Sequence, residues 1–191
     1  MRKSYLIIIL VVALSSCVKS ESKIYQTKIK DIIYAIRENN MEELYANFAN
    51  GKEINEIAQY QEKSQQNKFA SEVGNYLDKN GSLIKELRRD FEGNDEEWKG
   101  IEPYLALGTK KGNVGRIPMR EWTILFKSGE TIYDWKLISF HVIKNEKEIT
   151  YFIPGGDDID LIDLKSRNTS IKEVLEKARK SERYEFILEN F

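Results

Sequence analysis

The sequence predicts an α+β fold in which N-terminal helices pack on a C-terminal antiparallel meander of about four strands, with an extra C-terminal helix. Three observations predict it. Apolar residues recur at helical spacing from Ile24 onward, β-branched and aromatic residues crowd the stretch after Pro103, and helical spacing returns after Ser170. Of 191 residues, 41% are hydrophobic and 32% charged, which is globular composition and enough for one core over 24–191.

The first segment stands outside that core. Arg2 and Lys3 precede an apolar run from Tyr5 to Leu14, and small residues then lead to Cys17. This is the layout of a secretory signal peptide. The ten residues of the run rise only about 15 Å as a helix, half of a roughly 30 Å hydrocarbon core, so they read poorly as a permanent span.

Leu14-Ser15-Ser16-Cys17 resembles the lipobox of bacterial lipoproteins, in which an apolar residue and two small ones precede an obligatory Cys. The resemblance implies removal of residues 1–16, a thioether-linked diacylglycerol on Cys17 and an N-acyl chain on its new amino terminus. Each buried CH₂ contributes about 0.8 kcal/mol, so two or three chains anchor stably where one does not. The membrane is then a partner through the lipid, and the implied location is the bacterial cell envelope. Val18 stands where an Asp would otherwise follow the Cys. By similarity to lipoproteins of cells with two membranes, that favours the outer membrane, on its periplasmic or surface face. Residues 17–23 (CVKSESK) are polar and aperiodic after the Cys and read as a lipidated tether.

Tyr25, Ile29, Ile32, Ile33 and Ile36 form one apolar stripe, with Lys28, Lys30, Asp31 and Arg37 on the other side. This predicts an amphipathic helix. Asn40 with Glu43 resembles a capping box before a second helix that turns Met41, Leu44, Tyr45 and Phe48 inward, and Asn50-Gly51 closes the unit. Ile54 to Leu77 is polar in its middle, an exposed helix or a break, and regains a stripe at Phe69, Val73, Tyr76 and Leu77. Ser82 caps a short helix carrying Leu83, Ile84, Leu87 and Phe91.

After Pro103, turn-like pieces at 109–113 (TKKGN), 127–130 (KSGE) and 144–148 (KNEKE) divide the strands of the meander. Trp122, Ile124 and Phe126 share one face, and Tyr133, Trp135 and Leu137 share a face of the next strand. Ile149 to Ile153 supplies another strand, halted at Pro154-Gly155-Gly156. An acidic loop follows, and Asn168-Thr169-Ser170 leads into a terminal helix with Ile171, Val174, Leu175 and Ala178, docked on the sheet. The opening helix pair (IKDIIYAIRENNMEELYANF) followed by a four-strand run resembles the cystatin-like, nuclear-transport-factor-2-like α+β proteins over 24–153. The insertion at 59–91 and the last helix depart from their compact form. Fold likeness transfers no function.

The chemical inventory is sparse. Lys and Arg number 30 against 31 Asp and Glu, so no clustered positive field calls for nucleic acid. One Cys excludes an intrachain disulfide and one His excludes a multi-histidine metal site, so neither cofactor nor metal is expected beyond the lipid on Cys17. His141, in the strand segment SFHVI, reads as a satisfied structural histidine. Asp157, Asp158, Asp160 and Asp163 lack the EF-hand spacing, and Asp95-Glu96-Glu97 reads as a solvated bend. Gly108, Gly112 and Gly115 with Lys110 and Lys111 lack the phosphate-loop order and read as a Lys-rich hairpin. Trp98, Tyr104, Trp122, Tyr133 and Trp135 are the candidates for lining a pocket, against the plainer reading of simple core.

The expectation is therefore a non-enzymatic, lipid-anchored envelope protein that binds a protein or small-molecule partner, with no catalytic residues. Two alternatives come from other classes. An immunity or inhibitor lipoprotein would present the acidic patches at 95–97 and 157–163, and an envelope hydrolase would join Asp or Glu to His141 in an aromatic cleft.

Overall fold

The computed structural model describes residues 21–38, 40–75, 100–128, 131–155, 160–162 and 170–189. Helix α1 occupies 21–37, α2 Met41–Ala46, α3 Gly51–Ala58 and α4 66–75. Strands β1 (Ile101–Thr109), β2 (Gly112–Val114), β3 (Ile117–Ser128), β4 (Thr131–Lys144), β5 (Lys147–Pro154) and β6 (Asp160–Ile162) follow. Helix α5 (Ile171–Lys180) and strand β7 (Tyr184–Glu189) come last. The sheet runs β5-β4-β3-β1-β7, with β2 paired to β3 and β6 to β4, and its pairings are antiparallel. The fold is α+β, and β1, β3, β4 and β5 are the four long strands of the meander.

Strand period assigns the two faces. Trp122, Ile124 and Phe126 of β3 meet Tyr133, Trp135 and Leu137 of β4 on one face, and the α1 stripe of Tyr25, Ile29, Ile32, Ile33 and Ile36 covers them. Full burial of each such side chain contributes about 1.5–3 kcal/mol, so this stripe holds α1 to the sheet. In β1 the register slips between Pro103 and Leu105. That bulge reverses the parity, so that Ile101 and Ala106 face α1 while Leu105 and Leu107 face away.

The opposite face carries two clusters. Ile117, Phe140, Val142 and Ile153 pack under α3 and α4 through Ile54, Ile57, Phe69 and Val73. Leu105, Leu107 and Leu125 pack under α5 through Ala178, with Val174 and Leu175 partly covered. The terminal helix thus docks as expected. The chain passes between the faces around the edge of β5. Phe48 belongs to the α1 side and Ala49 to the α3 side, and Ala49 N–H donates to Phe152 O at 2.8 Å.

Several local expectations change. Helix α1 already includes 21–23, so those residues of the expected tether are helical. Asn40 caps α2 by accepting from Glu43 N–H, but its own backbone N–H goes to Ala35 O, and Glu43 is reached by the Asn40 side-chain amide instead. Tyr45 faces solvent, because Leu44 and Phe48 already fill the inward positions. Asn50-Gly51 opens a helix rather than closing one, since Asn50 and Glu53 form a complete capping box. The polar stretch after Ala58 is a break between α3 and α4. It is pinned by Gln61, whose amide donates to Val114 O and accepts from Arg116 N–H. Strand β7 was not foreseen; it pairs with β1 and completes the sheet beyond α5. The helix expected after Ser82 lies outside the described residues.

Candidate functional site

The α1-facing layer of the sheet contains a line of polar groups that strand alternation builds. Ser139 and His141 sit two residues apart on β4 and point the same way. Trp122 lies opposite Leu137 on β3, and the two-residue turn at Asn145-Glu146 folds Glu148 back beside His141. Trp122 Nε1–H donates to Ser139 Oγ at 3.0 Å, and Ser139 Oγ lies 3.1 Å from His141 Nε2. His141 Nδ1 is 3.1 Å from Glu148 Oε1 and 3.3 Å from Thr150 Oγ1. With the indole as a fixed donor and the carboxylate as a fixed acceptor, the neutral Nδ1–H tautomer gives every group on the line a partner, the hydroxyl proton included. Ser139 then donates to Nε2 and Nδ1–H to Glu148, whereas an imidazolium leaves the Ser139 proton without an acceptor on the line.

The surrounding charges agree. Burial, followed by the charge of Lys111, pushes the His141 pKa down to about 4, against the opposing pull of Glu148. Burial alone would raise Glu148, but its bond to and the charge of Lys111, with His141 next, hold its carboxyl below the ordinary value. Lys111 Nζ donates to both Glu148 oxygens at 2.8 Å and lies 3.6 Å from Glu21 Oε1, which also accepts from the Tyr25 hydroxyl. Burial raises the Tyr25 pKa, and the Glu21 bond raises it further. The polar line therefore runs from the sheet interior to the first turn of α1. Beside it Arg120, fully enclosed, donates to Thr109 O and to Glu185, and lies over the Phe186 ring with its Nε unpaired.

Ser139, His141 and Glu148 stand in the order of nucleophile, base and orienting carboxylate. Access works against that chemistry. Ser139 and Trp122 have no exposed surface, and the hydroxyl is already held between the indole N–H and the imidazole. A carbonyl carbon has no approach to Oγ in this arrangement.

An accessible concavity lies one step outward, where α1 meets the edge of β5. It is a trough of about 490 Å³ lined by Lys23, Ile24, Thr27, Lys28, Asp31, Thr150 and Phe152, within the range of ligand sites. Ile24 is 59% exposed on its wall. Lys28 is half-buried, and burial lowers its pKa despite the nearby charges of Asp31 and Glu53. It makes no ion pair among the described residues. Thr150 belongs to both features, since it lines the trough and its hydroxyl reaches His141.

Placement of the expected pocket aromatics follows. Trp122, Tyr133 and Trp135 are packed in the layer under α1, Tyr104 is packed on the opposite face, and Trp98 lies outside the described residues. None of the four described aromatics lines the trough. Gly108 backs the Trp122 ring and Gly115 takes φ +59° in the β2–β3 turn, in keeping with a hairpin rather than a phosphate cradle. Asp160 begins β6, whereas 95–97, Asp157, Asp158 and Asp163 lie outside the described residues, as does Cys17 with the 14–16 motif. Among the described residues no His, Cys, Asp and Glu cluster is suited to a metal, and no helix is long and apolar enough to cross a membrane. Compared with protein-family models, with curated protein sequences and with solved structures, the chain matches none.

Proposed function

We propose that this chain is a lipid-anchored protein of the bacterial cell envelope, held by diacylglycerol and an N-acyl chain on Cys17, whose α+β body binds a partner or ligand in the trough between α1 and β5. The trough carries the reading: it couples exposed apolar surface at Ile24 with a partly desolvated cation at Lys28 that makes no ion pair among the described residues. Partial burial of that charge costs stability beyond what the nearby Asp31 and Glu53 offset, and an arriving anion offsets the rest. Position supports it too. Only three residues separate Cys17 from the first described helical residue, Glu21, and the four Cα–Cα steps reach at most about 14 Å. A lipid on Cys17 therefore keeps the Lys23 end of the trough near the membrane surface.

Two measurements test this in the native host. Intact mass of the membrane-fraction protein, wild type against Cys17→Ala, is expected to show loss of residues 1–16 and added acyl mass on the wild type alone; an unlipidated soluble wild type refutes the anchor. A photo-crosslinking residue at Thr27 is expected to give an adduct that the same residue at exposed Lys172 on α5 does not. Equal labelling at both positions, or none at Thr27, refutes the trough as the binding site.

A further inference from the structure

We infer that the occupant of the trough is an extended acidic segment of a partner protein, which adds as a strand to the open edge of β5; this deepens the reading above and rests on it. Strand β5 ends the sheet order on this side. Asn145 and Glu146 both have positive φ, 52° and 62°, and Lys144 faces Lys147, which makes a two-residue hairpin turn. In such a hairpin the pair flanking the turn is hydrogen-bonded, and bonded and non-bonded pairs then alternate. Lys147, Ile149, Tyr151 and Ile153 accordingly spend their N–H and C=O groups on β4. Glu148, Thr150 and Phe152 point theirs outward.

The chain itself reads out this phase once. Phe152 O accepts from Ala49 N–H, outside the sheet, where the backbone rounds the edge. Toward the hairpin the edge stays open, for the outward backbone groups of Thr150 and Glu148 have no partner among the described residues. Unpaired edge groups template another strand. The trough lies along this same stretch, with Thr150 and Phe152 on one side and Ile24, Thr27 and Lys28 on the other. A strand docked on Thr150 sends alternate side chains into it.

Charge selects among strands. The lining holds two cations, Lys23 and Lys28, against the single carboxylate of Asp31, and Lys28 makes no ion pair among the described residues. A Glu or Asp on the inward face of the segment supplies that pair, while its apolar neighbours cover Ile24. A small anion would satisfy Lys28 and leave the backbone edge unused, so the two features together favour a peptide. A second copy of this chain would satisfy the edge, and that outcome is separable.

The test uses the full chain in detergent micelles and a phage-displayed library of random heptapeptides. Selected sequences are expected to hold an Asp or Glu among β-branched or aromatic residues and to lack a central Pro. Amide exchange of the free chain is expected to alternate along β5, slow at Ile149 and Tyr151 and fast at Glu148 and Thr150. The selected peptide, synthesised, should slow Glu148 and Thr150. Thr150→Pro removes the outward donor without touching a backbone bond to β4, though it also removes the Thr150 hydroxyl contact with His141, and should weaken the peptide tenfold or more. Lys28→Gln, which leaves the edge intact should Thr150→Pro fail to fold, should weaken it about tenfold, and Lys172→Gln should leave it unchanged. A slow Thr150 amide in the free chain at every concentration overturns the inference, because the chain then fills its own edge. Protection that grows with protein concentration overturns it in favour of a second copy. Peptides that bind without protecting Thr150, or without acidic residues, overturn it as well. A small-molecule adduct at Thr27 with no peptide selected refutes the strand while the trough stands; neither adduct nor peptide refutes both.

Discussion

Lowering the pH from 7 to 4 should destabilise this protein chiefly through one residue. In the unfolded chain His141 titrates near 6.5, and burial in the fold pushes it to about 4. The folded value lies below the unfolded one, so the unfolded chain takes up the proton first. The stability tied to the neutral imidazole is whole above pH 6.5, erodes between 6.5 and about 4, and changes no further below that. At about 1.4 kcal/mol per unit the loss is about 3 kcal/mol, large against the roughly 5–15 kcal/mol stability of a typical domain. Protonation also turns Nε2 into a second donor to Ser139 Oγ, which then accepts from both the ring and the Trp122 indole and loses the imidazole as acceptor for its own proton. Urea unfolding measured from pH 7 to pH 4 should lower the midpoint by about 1–3 M at a slope of about 1–3 kcal/mol per M. His141→Gln, which does not titrate, should remove most of that dependence above pH 4. His141 is the only histidine, so its ring C2 proton gives one unambiguous NMR titration. A folded-state midpoint near 6.5, or equal pH dependence in wild type and variant, refutes the closed polar line.

Other perturbations probe the same layer. Ser139→Ala leaves the Trp122 indole N–H and His141 Nε2 unpaired and should cost roughly 1–3 kcal/mol in urea unfolding; no loss would mean that the line is not formed. Because Ser139 is enclosed, a fluorophosphonate probe should leave it unlabelled in the native protein, and mass-mapped labelling at Ser139 would revive the hydrolase alternative. Gly108→Ala places a Cβ 2.7 Å from the Trp122 ring and should cost about 1–3 kcal/mol, read by thermal unfolding; an unchanged midpoint would show that the indole yields freely. Arg120→Ala should be markedly worse than Arg120→Met, because the guanidinium fills space against Phe186 while its partner Glu185 is 44% exposed and stays solvated without it. Equal losses would mean that charge, not volume, holds this position.

The parts of the fold legible in the sequence are those where one periodic face meets one core. The stripe from Tyr25 to Ile36 and the alternation at Trp122, Ile124 and Phe126 each state which side is buried, and the structure buries those sides. Pattern misled where two chain segments compete for a position. Tyr45 has the spacing of an inward residue, yet Leu44 and Phe48 fill the contact first. Asn50 carries the same signal whether it ends one helix or begins the next, and only Glu53 at the third position, reaching back to the Asn50 N–H, separates the two. Strand β7 was legible and missed. Phe186 and Leu188 alternate with exposed or half-buried neighbours, but a six-residue strand at the end of a chain depends on finding β1 across the sequence.

The polar line and the trough differ in how far sequence could have carried them. His141 and Ser139 are two residues apart in one strand, and folding the next strand back at Asn145-Glu146 brings Glu148 to the same face, so the line follows from one correct hairpin. The trough does not follow from any motif. Lys28 and Asp31 were legible only as the polar side of α1, and what changes their meaning is the neighbour on that side, an edge strand whose backbone points outward. Edge polarity resides in N–H and C=O groups that every residue but proline carries alike, so residue type does not record it. It is set instead by the register in which β5 meets β4, which the two-residue turn and the burial of Phe152 on one face and Ile153 on the other fix together. On that account the site resides in register. A one-residue insertion in the turn should be absorbed as a longer loop while these buried faces hold the register, leaving fast amide exchange at Glu148 and Thr150; its transfer to Ile149 and Tyr151 would refute this account.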